Sequence, residues 1–590
     1  MGIFKSLSNS LLVSGLILGL LLAIGMSDYF GLNSGLYTSV FGLHLIAFCI
    51  ACYRAIKTIC KAVIDSTWPK LPLFLLLGAT LGIIIALGIL PVTAGDALIH
   101  HIAVPKWWLQ TGTIHYIDFH GWSNYPMLLN LAYAGIMRFA PVELCALYHG
   151  AYLIILAALI IQFLNTENSD PKISLLAGLM TLGLPMFLRL AAIPLVDLGL
   201  AAYSFLCLMW IVSPKQNSFK YLLAGLALGL ALSIKYNAIL AGFVITAVLW
   251  ISLVRDKTDW RTSLKYLVVF ICGALIVYAP WMIKNYAWTA NPIYPLFNSV
   301  FGAKGAPSLG GLNPIEHRKL VYNETWIDFI SLPIRMLVSG QDMKGKYFDG
   351  VLHPGLIFGF LGITLYRSKD WIRYFALFSV LYFLLATTLA VPRARYLSPM
   401  LGCWICLSSI GCYSLVAWLP EKWRAATIKT FLVVYFCYSG FYLNNLVKRK
   451  MLLPYIKGEL SKEDYLKRSV PDYELISWIN TELPETSKIY LLNTPNRFFY
   501  FERAVTTSGH DSSAGIVQEL RKTKTAAEAA TALSEQGITH IMANIPRTTA
   551  VMEAELAGEN RLKWNEFQAK HMQALVQSGS TAIWELKPDE

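Results

Sequence analysis

The chain has 590 residues, of which 56% are hydrophobic and only 14% charged, with a mean hydropathy of +0.51. That balance excludes an ordinary soluble enzyme and points to a polytopic membrane protein. The net charge of +13 reads as topology, because cytoplasmic loops collect Lys and Arg; no basic stretch interleaved with aromatics offers a nucleic-acid site.

Taken in chain order, "LLVSGLILGLLLAIG" follows Lys5 and reads as an uncleaved signal anchor. A helix needs about 20 apolar residues to cross the hydrocarbon, and about thirteen segments approach that length. They lie near 9–26, 36–56, 71–92, 146–164, 173–190, 196–213, 219–234, 237–254, 266–283, 354–367, 372–391, 397–418 and 428–446. Basic residues cluster in the loops around Arg54, Lys57, Lys61 and Lys70, around Arg255, Lys257, Arg261 and Lys265, around Arg367, Lys369 and Arg373, and around Lys422, Arg424 and Lys429. These loops are expected to be cytoplasmic. The loop beginning at Asp96, the loop 284–353 and everything after about residue 447 then fall outside. The apolar stretch 124–140 would invert every later loop if it spanned, so a juxtamembrane or re-entrant helix is expected there.

The C-terminal stretch differs in kind. "KIYLLN", "ITHIMAN" and "TAIWELK" read as short strands. "DYELISWINTEL" and "TAAEAATALSEQG" have helical apolar spacing, with Gly537 as a C-cap. A small soluble α/β domain on the outer side follows. The expected organisation is two extra N-terminal helices over 1–70, a catalytic membrane module over 71–446 with outer loops 95–145 and 284–353, and the outer domain over 447–590. All ten cysteines precede residue 440, so that domain is no disulfide scaffold. The Cys403/Cys406 CxxC sits in an apolar run and reads as buried thiols.

The outer ends of several spans carry charge. Asp96 in "TAGDALIHHIAVPKWW" alone would read as a helix cap. Its company changes that reading. Asp197 lies at the outer end of "PLVDLGL", Lys235 and Tyr236 form a short outward turn in "SIKYNAIL", and Arg393 and Arg395 mark another outer boundary in "AVPRARYLSP". Charges at that depth are expensive and have a partner or a task. Cations suit a phosphate headgroup, and a carboxylate beside them suits proton removal from a hydroxyl. The set fits displacement of a sugar from a lipid-linked phosphate.

His100 and His101 are adjacent, so on an α-helix both cannot easily reach one ion; one is expected to face the cavity and the other the headgroups. No metal is assigned and no cofactor site is found. His100, His101, Trp108 and His120 are candidates to line the cavity or the acceptor path. Trp107, Trp108 and Trp122 read first as interfacial belt residues. Asn323-Glu324-Thr325 matches a glycosylation sequon.

The order of these landmarks, with "PWMIKNYAWTANPIYPLF", resembles the GT-C superfamily of polytopic glycosyltransferases over roughly residues 71–450, in particular the protein O-mannosyltransferases and the lipid A aminoarabinose transferase. The resemblance implies a base or acceptor-orienting role for Asp96, a second acidic role for Asp197, and lipid-phosphate contacts for Lys235 and Arg395. It implies a polyprenyl-phosphate sugar as donor and a glycan, lipid or protein acceptor. The expected setting is the outer face of a bacterial inner membrane. Two features depart from the family: Asp96 is followed by Ala97 rather than a second acid, and two extra spans precede the core. A ligase or polymerase using a lipid diphosphate donor, and a lipid or glycan transporter, are the alternatives.

Overall fold

A computed structural model describes residues 6–167, 169–214, 217–303, 313–365, 369–507 and 514–588; Arg367 lies outside them. Among the described residues, nine helices are long and apolar enough to cross a membrane: Leu7–Gly25, Gly35–Asp65, Lys70–Gly88, Leu144–Thr166, Asn237–Arg255, Trp260–Thr289, Asp370–Thr388, Ala394–Ala417 and Glu421–Arg449. A further apolar helix pair is bent, as in a broken span or a re-entrant loop. Pro171–Leu182 and Pro185–Ala191 meet at 57°, where Gly183 and Pro185 interrupt the backbone ladder.

Asp197–Val212, Ser218–Ile234 and Pro354–Thr364 are apolar but shorter. The 16 residues of Asp197–Val212 rise about 24 Å, less than the ~30 Å of hydrocarbon. That helix is buried along almost its whole length inside the bundle, so protein rather than lipid surrounds its ends. The 124–140 stretch forms the 12-residue helix Leu128–Phe139. Its residues 128–136 are all buried, which explains an apolar composition without a crossing.

Small residues set the helix crossings. A Cβ on Gly225 would lie 2.1 Å from the Phe270 carbonyl oxygen, and one on Gly411 would lie 2.0 Å from that of Phe358. Backbones approach this closely only where side chains are absent, as membrane helices pack.

The C-terminal stretch forms one five-stranded sheet of β1 (Lys488–Leu492), β2 (Ala504–Thr506), β3 (His540–Asn544), β4 (Met572–Ser578) and β5 (Thr581–Leu586), in the order β2-β1-β3-β5-β4. β1 is parallel to β2 and β3, while β5 is antiparallel to both β3 and β4. Alternation along β1 serves two cores. Tyr490 and Leu492 face a cluster with Ile516, Leu533 and Phe567. Ile489 and Leu491 face Leu475, Ile476, Ile479 and Phe498, and this second cluster includes Ala103 from the Asp96 loop. The sheet is therefore packed on one side against the segment that carries Asp96. β2 and β4 were not expected from sequence: β2 has three residues, and β4 is an edge strand with a mostly exposed pattern. Gly537 takes φ +79° just past the Ala526–Glu535 helix, as a terminating glycine should.

Candidate active site

The segment after Lys70–Gly88 does not start an α-helix at Asp96. Residues Ala97–His101 form a single π-turn, closed by the Ile102 amide donating to the Ala97 carbonyl at 3.0 Å. The Asp96 carboxylate caps nothing, which removes the helix-cap reading. It is free for a tertiary partner, and Arg395 Nη2 donates to its Oδ2 at 2.5 Å. π-turns of this kind recur at functional sites because they re-aim side chains.

Arg395 comes from a short 3-10 turn, Ala394–Leu397, that opens the Ser398–Ala417 helix. It is in electrostatic reach of Asp197 as well as Asp96. Asp197 is 1% exposed, and its Oδ1 accepts from Lys235 Nζ at 2.9 Å. Lys235 is delivered by the extended residue that breaks Ser218–Ile234 from Asn237–Arg255. The two carboxylates thus share one cationic neighbourhood, drawn from four separate helix ends.

The cations converge on a ring that sequence reading passed over. Tyr396 has Lys235 Nζ at 5.2 Å from its centroid, Arg395 Cζ at 5.5 Å and Arg393 Cζ at 5.9 Å. Its place inside "RARYLSP" was the available signal. A π face tolerates three cations together better than an aliphatic wall would. Tyr236 turns away from this ring: its hydroxyl donates to the Tyr294 carbonyl at 2.6 Å and accepts from Asn285 at 3.2 Å. It holds the "NPIYP" turn against the bundle, where Asn291 braces the backbone through Ile293 and Leu296.

The two histidines are not splayed. Their ring centroids are 4.0 Å apart, because the wider π-turn separates successive side chains less than an α-helix does. Asn130 Nδ2 donates to the His101 carbonyl at 2.7 Å and fixes the turn. Burial, with Lys235 next, pushes His101 down to about 3, and burial with His101 beside it holds His100 well below the usual imidazole value. Both rings are therefore neutral at pH 7. Burial would raise Asp96, but the Arg395 guanidinium, by its charge and its hydrogen bond, outweighs it and keeps the carboxyl well below its usual range. Among the described residues no three His, Cys, Asp or Glu side chains gather as metal ligands.

Trp108 is fully buried in the core, which corrects the interfacial belt reading for that residue. His120 is buried too: its Nε2 lies 2.8 Å from the Ile99 carbonyl oxygen, and its ring packs on Trp107 and Phe498 at 5.5 and 5.3 Å. It joins the Asp96 loop to the C-terminal segment. Arg497 of that segment also reaches the site and was missed: its guanidinium lies against Gly95 and within electrostatic reach of Asp96.

No family model and no curated protein matches the chain by sequence. Among solved structures, ArnT from Cupriavidus metallidurans in the apo state is similar, with a TM-score of 0.50 and 13% identity over 87% of this chain and 97% of that one. The same protein bound to undecaprenyl phosphate has a TM-score of 0.50 at 14% identity, with the same coverage.

The chain shares the fold of ArnT.

The apo oligosaccharyltransferase of Archaeoglobus fulgidus gives a TM-score of 0.46 at 14% identity, over 85% of this chain and 72% of that one. The nine apolar helices of spanning length among the described residues mark a multi-pass membrane protein. Asp96 with Arg395 and Asp197 with Lys235 form the two ion pairs of its candidate site.

Proposed function

We propose that the protein is a glycosyltransferase that moves a sugar from a polyprenyl-phosphate carrier to a hydroxyl of an envelope glycan, lipid or protein acceptor, on the outer face of a bacterial inner membrane. The observation that carries the reading is the shared position of Arg395, paired to Asp96 and in reach of Asp197 while Lys235 holds Asp197. That fold-level likeness to ArnT, one of whose structures holds undecaprenyl phosphate, supports the class of donor.

In the reaction, the acceptor hydroxyl oxygen bonds to the anomeric carbon of the donor sugar. The bond from that carbon to the phosphate oxygen breaks, and its electron pair leaves with the lipid phosphate. The hydroxyl proton passes to an Asp96 carboxylate oxygen. Attack opposite the leaving group inverts the anomeric centre. Lys235, Arg393 and Arg395 stabilise the charge that grows on the departing phosphate. Asp197 acts as counter-ion and sets the direction of Lys235.

A carboxylate held by Arg395 is a weak base. The donor phosphate corrects this: as it enters, it competes for the Arg395 guanidinium, and Asp96 regains basicity only when substrate is present. Its side chain is 37% exposed against 8% for Arg395, so the carboxylate is the side of the pair open to an acceptor.

The test is transfer from a radiolabelled panel of polyprenyl-phosphate sugars, with wild type and Asp96→Asn side by side. Label reaching an acceptor with wild type alone is the expected result. A folded wild type that consumes no monophosphate donor overturns the reading.

A further inference from the structure

The transfer chemistry leaves one neighbouring guanidinium without a task. Arg497 lies on the loop leaving the carboxyl end of β1, within the parallel part of the sheet. Ligands of parallel sheets bind at that edge. The loop is tightly shaped: Asn493 and Asn496 both take φ +55°, a left-handed conformation that non-glycine residues seldom adopt. The following segment is fastened to the Asp96 loop. Tyr500 donates to the Val92 carbonyl at 2.7 Å, and Lys106 Nζ donates to the carbonyls of Phe499 and Phe501 at 2.8 and 2.7 Å.

These contacts bring the Arg497 fork onto the backbone beside Asp96. A Cβ on Gly95 would stand 2.8 Å from Nη1, 3.2 Å from Nη2 and 3.3 Å from Cζ. Glycine is what leaves room for the fork. Yet Arg497 makes no side-chain hydrogen bond or ion pair among the described residues, and its Nε is buried without a partner. The nearby carboxylate is already occupied by Arg395. A guanidinium carries five donors and is costly to desolvate unpaired. Here Nε is buried unpartnered, the other donors have no protein acceptor among the described residues, and Asp96 and Asp472 act on the charge only at a distance, which leaves the fork open to an anion. Its planar fork matches phosphate.

We propose that Arg497 is a substrate-binding residue that grips a phosphate oxygen beside Asp96, so that the C-terminal segment completes the anion site of the membrane module. This rests on the transferase reading above. The phosphate belongs either to the lipid carrier or to a phosphorylated acceptor, and Arg497 forms no bond in the reaction.

The experiment uses the full chain in nanodiscs, as wild type, Arg497→Ala, Arg497→Lys and Gly95→Ala. Dissociation constants are measured for undecaprenyl phosphate and for glucose 1-phosphate, with a melting curve for each variant. Arg497→Ala is expected to weaken undecaprenyl phosphate at least tenfold without moving the melt. Arg497→Lys should recover part of the loss, as a point charge replacing a fork. Gly95→Ala should weaken binding in the same direction, because its methyl displaces the fork and keeps the charge. A loss confined to glucose 1-phosphate would support the site and assign it to the acceptor. If Arg497→Ala alone melts early, the other two variants decide. Binding by all three variants equal to wild type overturns Arg497 alone; a wild type that binds neither probe overturns it together with the transferase reading.

Discussion

Two arginine–carboxylate sites in this protein, each with a buried arginine, are built to opposite ends. In the loop 284–353, Arg318 gives Nε and Nη2 to the two oxygens of Glu324, both at 2.6 Å, and further bonds to the carbonyls of Gly345 and Lys346. Arg335 adds a third donor to Glu324 at 2.8 Å, and Tyr322 and Phe348 flank the Arg318 guanidinium. No polar atom of Arg318 or Glu324 is left buried and unpartnered. At the Asp96 site, Arg395 makes a single side-chain hydrogen bond among the described residues, and Asp197 Oδ2, His100 Nδ1 and Arg395 Nε are all buried without hydrogen-bond partners. A satisfied network holds a loop in one shape. An unsatisfied one with surplus cations holds free energy in reserve for an anionic ligand.

The comparison breaks most sharply in activity. Asp96→Asn is expected to lower transfer by roughly 10²–10⁴-fold, the usual contribution of a positioned base. Its melting temperature should stay near wild type, since the side chain is partly exposed. Retained turnover in a labelled-donor assay would show that the proton leaves by another route.

Arg318→Ala should do the reverse. Removing one partner of a buried pair costs about 3–5 kcal/mol, so a large fall in melting temperature and in yield from the membrane is expected. Arg318→Lys should not rescue it, because a single ammonium cannot reproduce the bidentate fork. A variant that melts like wild type would mean that Glu324 finds water as readily as arginine.

Much of this was legible from residues alone, because hydrophobic run length and charge position report directly on membrane burial. The helical segments, the strands at 488–492, 540–544 and 581–586, and the place of Asp96, Asp197, Lys235 and Arg395 at or beside helix ends all follow from one-dimensional pattern. What stayed hidden depends on tertiary aim. Glu324 reads as the middle of a sequon and acts as a buried counter-ion. Arg497 is one arginine in "NTPNRFFY", some 400 residues from its neighbour Gly95; no local spacing ties the two. The π-turn has no composition of its own, so the approach of His100 to His101 could not be anticipated from an α-helical angle.

A smaller effect probes the contact between the two regions of the chain. Lys106 donates to two carbonyls of the Phe499–Phe501 segment, and hydrogen bonds to a charged group contribute about 1.5–3 kcal/mol. Lys106→Met should loosen the segment and leave the bundle intact. Limited proteolysis after residue 450 should then run faster while the melting of the membrane helices holds. Unchanged proteolysis would mean that the apolar contacts of Phe498 and Tyr500 suffice.

The mildest test is titration. His101 is buried neutral, with its proton affinity lowered from 6.5 to about 3. A histidine lowered in this way is protonated in the unfolded chain before it is in the folded one. Its contribution to stability is therefore complete above about pH 6.5 and is lost progressively as pH falls from there toward about 3, with a slope of at most about 1.4 kcal/mol per pH unit. Asp96 works in a different window. Its carboxyl is depressed by Arg395 against the opposing effect of burial, so its ion pair is fully formed above the ordinary carboxylate range and fails only in stronger acid. Between pH 7 and 5 the histidine effect stands alone of the two. The melting temperature should drop over that interval in wild type and drop less in His101→Gln, which cannot titrate. Equal slopes in both proteins would mean that water reaches the His101 ring, and that the π-turn opens more readily than its packing implies.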